Sequence, residues 1–246
     1  MIFFVSGGSR GIGAAIVLQA ARSGHDAAFT YVRNEAAAND VLRQAREIRP
    51  AGRYNAYQLD VSKSADVEKT SALALADYDT VDVLVANAGI NQNNLIVSMS
   101  DDEWHAVLNT NLSGAFYLCR AFLPTFIANR YGRFILISSL GAGGVSGQGN
   151  YAASKAGMLG LSATLAKEYA RKGITSNVIS PGFFETDLTR AEMSKDNREF
   201  WLKYCPAGRL GELSEIAELV TFLASPAAAY INGQELRING GLDWAP

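Results

Sequence analysis

Tyr151 and Lys155 stand four residues apart in a segment whose pattern predicts a helix, so their side chains share one face. A phenol beside an ammonium can hand over a proton near neutrality. The free tyrosine pKa is about 10, and a neighbouring cation favours the phenolate and brings that value down. Just upstream, Ser138 and Ser139 end an apolar strand, and a glycine-rich stretch from Gly141 to Gly149 joins them to the helix. A hydroxyl at that point can orient and polarise a carbonyl. The carboxyl end of a strand is also where α/β sheets place their chemistry. Strand register, counted from Arg133, favours Ser139 over Ser138. A shift of one residue reverses side-chain direction, so the two cannot serve equally.

A second constellation lies at the start of the chain. Ser6-Gly7-Gly8-Ser9-Arg10-Gly11-Ile12-Gly13 follows the short apolar run Ile2 to Val5 and opens a helix. Gly7, Gly11 and Gly13 allow a tight turn, close backbone approach to a pyrophosphate, and close packing of helix on sheet. The helix N-terminus adds unpaired N–H groups and positive potential. The spacing is Gly-x-x-x-Gly-x-Gly. The next strand ends Thr30-Tyr31-Val32-Arg33-Asn34, with no carboxylate until Glu35. A carboxylate there would hold the ribose hydroxyls of NAD, whereas Arg10 and Arg33, with Tyr31 in place of a possible carboxylate, suit the ribose phosphate of NADPH.

The elements that must position these residues alternate. Strands are predicted over 2–5, 27–32, 54–59, 81–86, 134–137, 174–179 and 234–238. Helices are predicted over 11–23, 35–48, 104–128 and 151–171, with Pro124 expected to kink or break the third. Short apolar strands between amphipathic helices imply a mostly parallel, doubly wound sheet of the Rossmann type, covered on both faces. No linker composition divides the chain, so one domain over 1–246 is expected.

Composition narrows the class. With 22 basic and 24 acidic residues the net charge is −2, which gives no basic face for nucleic acid. No run of eighteen apolar residues predicts a membrane span. Cys119 and Cys205 have no metal-ligand spacing, and only His25 and His105 are available as imidazoles, so no metal site is expected. The cysteine pattern reads as a reduced, cytoplasmic protein. Cys119 reads as core and His105 as helix surface.

The motifs Ser-Gly-Gly-Ser-Arg-Gly-Ile-Gly, Leu59-Asp60-Val61, Asn87-Ala88-Gly89, Thr-Asn111-Leu, Ser139, Tyr151-Ala-Ala-Ser-Lys155, Pro181-Gly182 and Asn239-Gly240-Gly241 occur in the order found in short-chain dehydrogenases/reductases. The chain resembles that family over nearly its whole length. Pro181 to Thr189 and Pro206 to Leu210 are most similar to its β-ketoacyl-acyl-carrier-protein reductases. In that family the serine usually lies thirteen residues before the tyrosine. Ser138 has that spacing and Ser139 is one residue short, so the resemblance leaves both open.

The resemblance implies that Tyr151 protonates the substrate oxygen, that Lys155 also holds the nicotinamide ribose, and that Asn111 holds a water in a proton relay. It implies that Asp60 and Val61 lie by the adenine, and Asn87, Ala88 and Gly89 along the cofactor. Pro181, Gly182, Phe184 and Thr186 would meet the nicotinamide end. It further implies a homotetramer built on the helices from Trp104 and Tyr151, whose outer faces would carry Phe116, Leu123, Leu161 and Leu165. An acidic carrier protein would dock at Arg130 and Lys172, with Arg133 and Arg171 beside them. Phe183, Phe184, Phe200, Trp201 and Tyr204 make the segment after Pro181 aromatic, which suggests an aryl or polyene tail from a polyketide-like pathway. The competing readings are a reductase of free ketones and a nucleotide-binding regulator without turnover.

Overall fold

Successive side chains of a strand point to opposite faces, so a strand buried on both sides must be apolar throughout. β1 (Ile2–Val5) is such a strand. Phe3 and Val5 enter one apolar layer, and Ile2 and Phe4 enter the other. The computed structural model describes residues 1–185 and 195–242. Around β1 it places β2 (Asp26–Tyr31), β3 (Tyr54–Gln58), β4 (Val83–Ala86), β5 (Gly132–Ile137), β6 (Ile174–Pro181) and β7 (Glu235–Ile238). All neighbours pair in parallel, in the order β3-β2-β1-β4-β5-β6-β7. The doubly wound parallel sheet is therefore as expected.

Helices fill both faces. α1 (Gly11–Arg22), α2 (Glu35–Ile48) and, late in the chain, Leu213–Ala224 contribute Ile16, Val41 and Val220 to one layer. The other layer takes Val67 from α3 (Ser64–Tyr78), Phe122 and Phe126 from α5 (Gly114–Asn129), and Met158 and Leu165 from α6 (Gly149–Tyr169). α4 (Asp101–Leu108) precedes α5, and α7 (Lys195–Tyr204) precedes α8, the Leu213–Ala224 helix. Among the described residues no helix is long and apolar enough to cross a membrane.

The strand order reverses between β1 and β4. Chain leaving β1 turns to one side and chain leaving β4 to the other, which opens a crevice at their carboxyl ends. Both predicted cofactor segments, Gly7 to Gly13 and Asn87 to Gly89, lie at that point.

Three sequence expectations change. The helix over 104–128 is two helices joined by a π turn at Asn109–Ser113, where the N–H of Gly114 donates to the carbonyl of Asn109. It starts earlier, at a capping box in which Ser100 accepts from Glu103 and Glu103 answers. α5 runs through Pro124, which lies on the exposed face, where water can serve the carbonyl that loses its partner. Leu165 is buried in the core and does not belong to an outer face, while Leu123 and Leu161 are half-buried against the same layer. Phe116 alone of the four is strongly exposed.

Candidate active site

β5 sends alternate side chains to opposite layers, and this settles where the two serines point. Phe134 and Leu136 enter the α6 side, Ile135 and Ile137 the other. Ser138 continues the ladder, its N–H donating to Ile179, and its hydroxyl points to the α6 side. There Oγ donates to the carbonyl of Lys155 at 2.9 Å, fully buried from solvent. Ser139, extended but past the end of the strand, bonds with its hydroxyl to Tyr151 near the start of α6. Its Oγ accepts from the N–H of Gly141 at 3.0 Å. The structure thus brings Ser139, and not Ser138, to the tyrosine.

The two titratable groups are shaped by burial. Lys155 is 4% exposed, and loss of water pushes its ammonium down to about 8. Its Nζ donates to the carbonyl of Ile137 at 2.7 Å and lies 5.7 Å from the Tyr151 ring centroid. Burial raises the Tyr151 phenol above its ordinary value, and the Ser139 hydroxyl acts in the opposite direction. This differs from the sequence expectation of a phenol lowered by Lys155. In the protein alone the ammonium is spent on a carbonyl, and desolvation outweighs it.

Asn111 sits in the π turn, fully buried. Its amide donates to Ile90 and Ser154, both at 3.0 Å, and its oxygen accepts from the N–H of Ile90 at 2.8 Å. The side chain therefore clamps the loop after β4 to α6. A Cβ on Gly89 would come within 3.2 Å of the Asn111 oxygen and 3.5 Å of Lys155 Nζ, so these three residues meet at one place.

The glycine turn is tied to β4 by two side chains. Ser6 Oγ accepts from the N–H groups of Asn87 and Ala88, both at 3.0 Å. Asn87 Nδ2 returns to the carbonyls of Ser6 and Gly7 at 3.0 and 3.1 Å. Gly7 takes a left-handed φ of 67°. A Cβ on Gly13 would lie 2.2 Å from the Gly7 carbonyl oxygen, which is why α1 can approach the turn so closely. Gly8, which sequence reasoning passed over, is as constrained: a Cβ there would lie 2.5 Å from Phe29 Cβ. No side chain caps α1 and no acid occupies its first turn. Ser9, Arg10, Gly11 and Ile12 thus present a positive, uncapped helix start to the crevice, which fits a bound pyrophosphate.

The other predicted contacts divide. Arg10 and Arg33 are exposed and have no ion-pair partner among the described residues, and Tyr31 is half-buried at the end of β2. Asp60 accepts from Ser62 and stands 3.9 Å from Lys63, and Val61 is buried against Gly114. Pro181 ends β6, and Gly182 packs on Asn239 so closely that a Cβ would lie 2.9 Å from its Cα. The ring of Phe184 is in the core, against Gly211, so only its backbone can serve the crevice. Thr186 and the Phe200 side chain lie outside the described residues. Phe183 and Trp201 spend a face on each other, with centroids 4.1 Å apart, beside a cavity that also touches Cys205 and Leu242. His105 is exposed and Cys119 is buried, its thiol pushed far up by desolvation.

At the opposite end of β5, Arg130 donates to the carbonyl of Arg171 at 3.3 Å, so Arg130, Arg171 and Lys172 share one exposed surface. Arg133 does not join them. It is a buried strand residue that donates to Gly132 and Gly173, both at 3.0 Å, and lies 4.2 Å over the Tyr131 ring.

A doubly wound parallel sheet with a glycine turn at its switch point, and a Tyr–Lys pair facing a serine, define a short-chain dehydrogenase/reductase. The family model described as enoyl-(acyl carrier protein) reductase matches residues 7–243, and the chain belongs to this family. Among curated proteins it is 44% identical over 242 residues to the 3-oxoacyl-[acyl-carrier-protein] reductase of Escherichia coli (strain K12), covering 98% of this chain and 96% of that one. It is 41% identical over 240 residues to the reductase of the same name from Staphylococcus epidermidis, covering 97% of each. Among solved structures it superposes with a TM-score of 0.93 on a chain described as a short-chain alcohol dehydrogenase from Sinorhizobium meliloti 1021, at 30% identity, covering 98% of this chain and 95% of that one.

Proposed function

We propose that the chain reduces the keto group of a 3-oxoacyl thioester carried on an acyl carrier protein, with NADPH as cofactor. The observation that carries the proposal is the convergence of Ser139 on Tyr151 beside buried Lys155, at the carboxyl ends of β4 and β5. Two hydroxyls can then meet one oxygen, which is the requirement of a carbonyl substrate. The names of the curated relatives agree with it.

The cofactor would supply the hydride. Gly7 to Gly13 would hold its pyrophosphate, Asp60 and Val61 its adenine, and Asn87 to Gly89 its length. Arg10 and Arg33, both exposed, would take the ribose phosphate. Ser139 Oγ accepts from Gly141 and bonds Tyr151, and a substrate oxygen placed between the two would receive its proton instead. Tyr151 Oη, held protonated by burial, donates to the same oxygen. Lys155, whose Nζ now donates to the Ile137 carbonyl, would hold the nicotinamide ribose. The π turn at Asn109–Ser113 takes backbone carbonyls out of α-helical register, which supports the water-holding role of Asn111. The apolar ridge Leu95-Ile96-Val97 lies beside this loop, with Ile96 and Val97 73% and 91% exposed, and suits an acyl chain. Sequence reasoning missed it, although three consecutive apolar residues in a polar loop were its signal.

Arg130, Arg171 and Lys172 form a cationic surface for an acidic carrier. Assembly as a homotetramer in the cytoplasm belongs to the proposal, with exposed Phe116 on α5 as the remaining candidate contact. The rings of Phe183, Phe184 and Trp201 pack on each other and on the core, so the proposal covers acyl tails generally, in fatty-acid or polyketide-like synthesis. The test compares NADPH and NADH oxidation with a carrier-bound 3-oxoacyl substrate, in the natural protein and in Arg33→Ala. A clear NADPH preference that Arg33→Ala narrows is expected. Equal kcat/KM for the two nucleotides overturns the cofactor assignment, and absence of reduction overturns the function.

A further inference from the structure

Which ketones fit depends on what lies beside the carbonyl oxygen, and one of the residues there, Gly141, has no side chain. Gly141 is buried in the loop that follows Ser139. A Cβ built on it would lie 3.4 Å from Ser139 Oγ, 3.5 Å from Tyr151 Cε1 and 3.5 Å from Val145 Cγ2. These are ordinary van der Waals separations. The missing methyl therefore leaves a gap of its own size, walled by the two groups that take the carbonyl and by one apolar side chain.

Nothing in the backbone calls for glycine at this position. Gly144 and Gly147, in the same loop, have φ of 105° and 76°, where other residues are strained. Gly141 is not in that region. Its N–H bond to Ser139 could be supplied by any residue except proline. A glycine that the chain conformation does not need, placed against the reacting groups, makes space.

Resting on the carbonyl-reduction reading above, we infer that Gly141 forms a methyl-sized subsite for a branch on a carbon next to the substrate carbonyl. The enzyme then accepts 3-oxoacyl thioesters branched at carbon 2 or carbon 4 as well as straight ones. A hydrophobic pocket of this size discriminates one methyl by about 10–200-fold.

Gly141→Ala tests this, because alanine fills the gap without displacing a neighbour and keeps the N–H bond. The probes are the N-acetylcysteamine thioesters of 3-oxopentanoate, 2-methyl-3-oxopentanoate and 4-methyl-3-oxopentanoate, with NADPH. The natural protein is expected to reduce the straight substrate and at least one branched substrate with kcat/KM within about tenfold of each other. Gly141→Ala should keep the straight substrate within about threefold and lose about tenfold or more on that branched one. The inference is overturned if the natural protein reduces only the straight substrate. It is also overturned if the variant loses all substrates equally, or loses none. The straight 3-oxopentanoyl group on an acyl carrier protein is assayed alongside: its reduction while the branched thioesters stay inert overturns this inference alone, and its failure to react overturns the reductase reading itself.

Discussion

Replacing Ser138 and Ser139 separately with alanine should split stability from turnover, because the two hydroxyls do different work. Ser138 Oγ is buried and gives its proton to the carbonyl of Lys155, which fastens the end of β5 to the helix carrying the reacting pair. Its loss removes one net hydrogen bond, worth about 0.5–1.5 kcal/mol. For a domain of this size each kcal/mol moves the midpoint by about 2–4 °C, so Ser138→Ala should melt about 1–6 °C lower. No substrate atom is involved, and turnover should stay within about fivefold of the natural protein. Ser139 Oγ is half-exposed, accepts from the N–H of Gly141 and bonds the Tyr151 hydroxyl. Water can reach that N–H in the variant, since neighbouring Gly143 and Gly144 are exposed. Ser139→Ala should therefore lose about 10²–10³-fold in kcat, the usual loss for one donor to a developing oxyanion. The assay is NADPH oxidation with a 3-oxoacyl thioester, beside a thermal melt of each variant. A folded Ser138→Ala that loses as much turnover as Ser139→Ala, or a Ser139→Ala within threefold of the natural protein, would refute the assignment.

Two further outcomes follow from the same geometry. Burial lowers Lys155 from its ordinary value to about 8. Between about pH 8 and 10.5 the unfolded chain binds this proton and the folded chain does not, so this residue makes stability rise with pH across that window. Subtracting the unfolding free energies of Lys155→Met from those of the natural protein isolates it from Tyr151 and Cys119, and a difference that stays flat or falls contradicts the buried, half-titrated lysine. Gly13→Ala sets a Cβ 2.2 Å from the Gly7 oxygen and 2.7 Å from Asn87 Nδ2, so α1 and the turn must part. The cost should be about 1–3 kcal/mol by overpacking, with NADPH bound at least tenfold more weakly by fluorescence titration; unchanged binding would mean that the turn does not hold the cofactor.

What the sequence discloses here depends on how local the physics is. The glycine turn, the alternation of apolar strands with helices, and the four-residue spacing of Tyr151 and Lys155 are decided within a few residues, and all were legible. α3 was not, because Ser-Ala-Leu-Ala-Leu-Ala over 71–76 carries a two-residue rhythm that points away from a helix, and Leu73 is in fact exposed. The π turn was hidden for another reason. It forms where Asn111 reaches across to Ile90 and Ser154, and no property of 109–113 alone announces those partners. Arg133 gave the opposite of its usual signal, since a charged residue in a strand reads as surface, while here two backbone carbonyls and a tyrosine ring receive the guanidinium inside.

The two serines show where reading by motif and reading by physics part. Counting back thirteen residues from Tyr151 reaches Ser138. Counting strand alternation puts Ser138 on the face of Phe134 and Leu136, where its hydroxyl is taken by the Lys155 carbonyl, and leaves Ser139, the next residue out, for Tyr151. The loop from Gly141 to Gly149 can lose a residue at little cost, since its glycines absorb the change in direction. A strand cannot, because one residue of slip would send Ile135 and Ile137 into the wrong layer. When spacing and register disagree about a residue at a strand's end, register is the stronger guide, and the shorter loop is then the feature that needs a reason. Here Gly141 closes the shortened turn by donating its N–H to Ser139 Oγ, and its open side lies beside that hydroxyl and the Tyr151 ring.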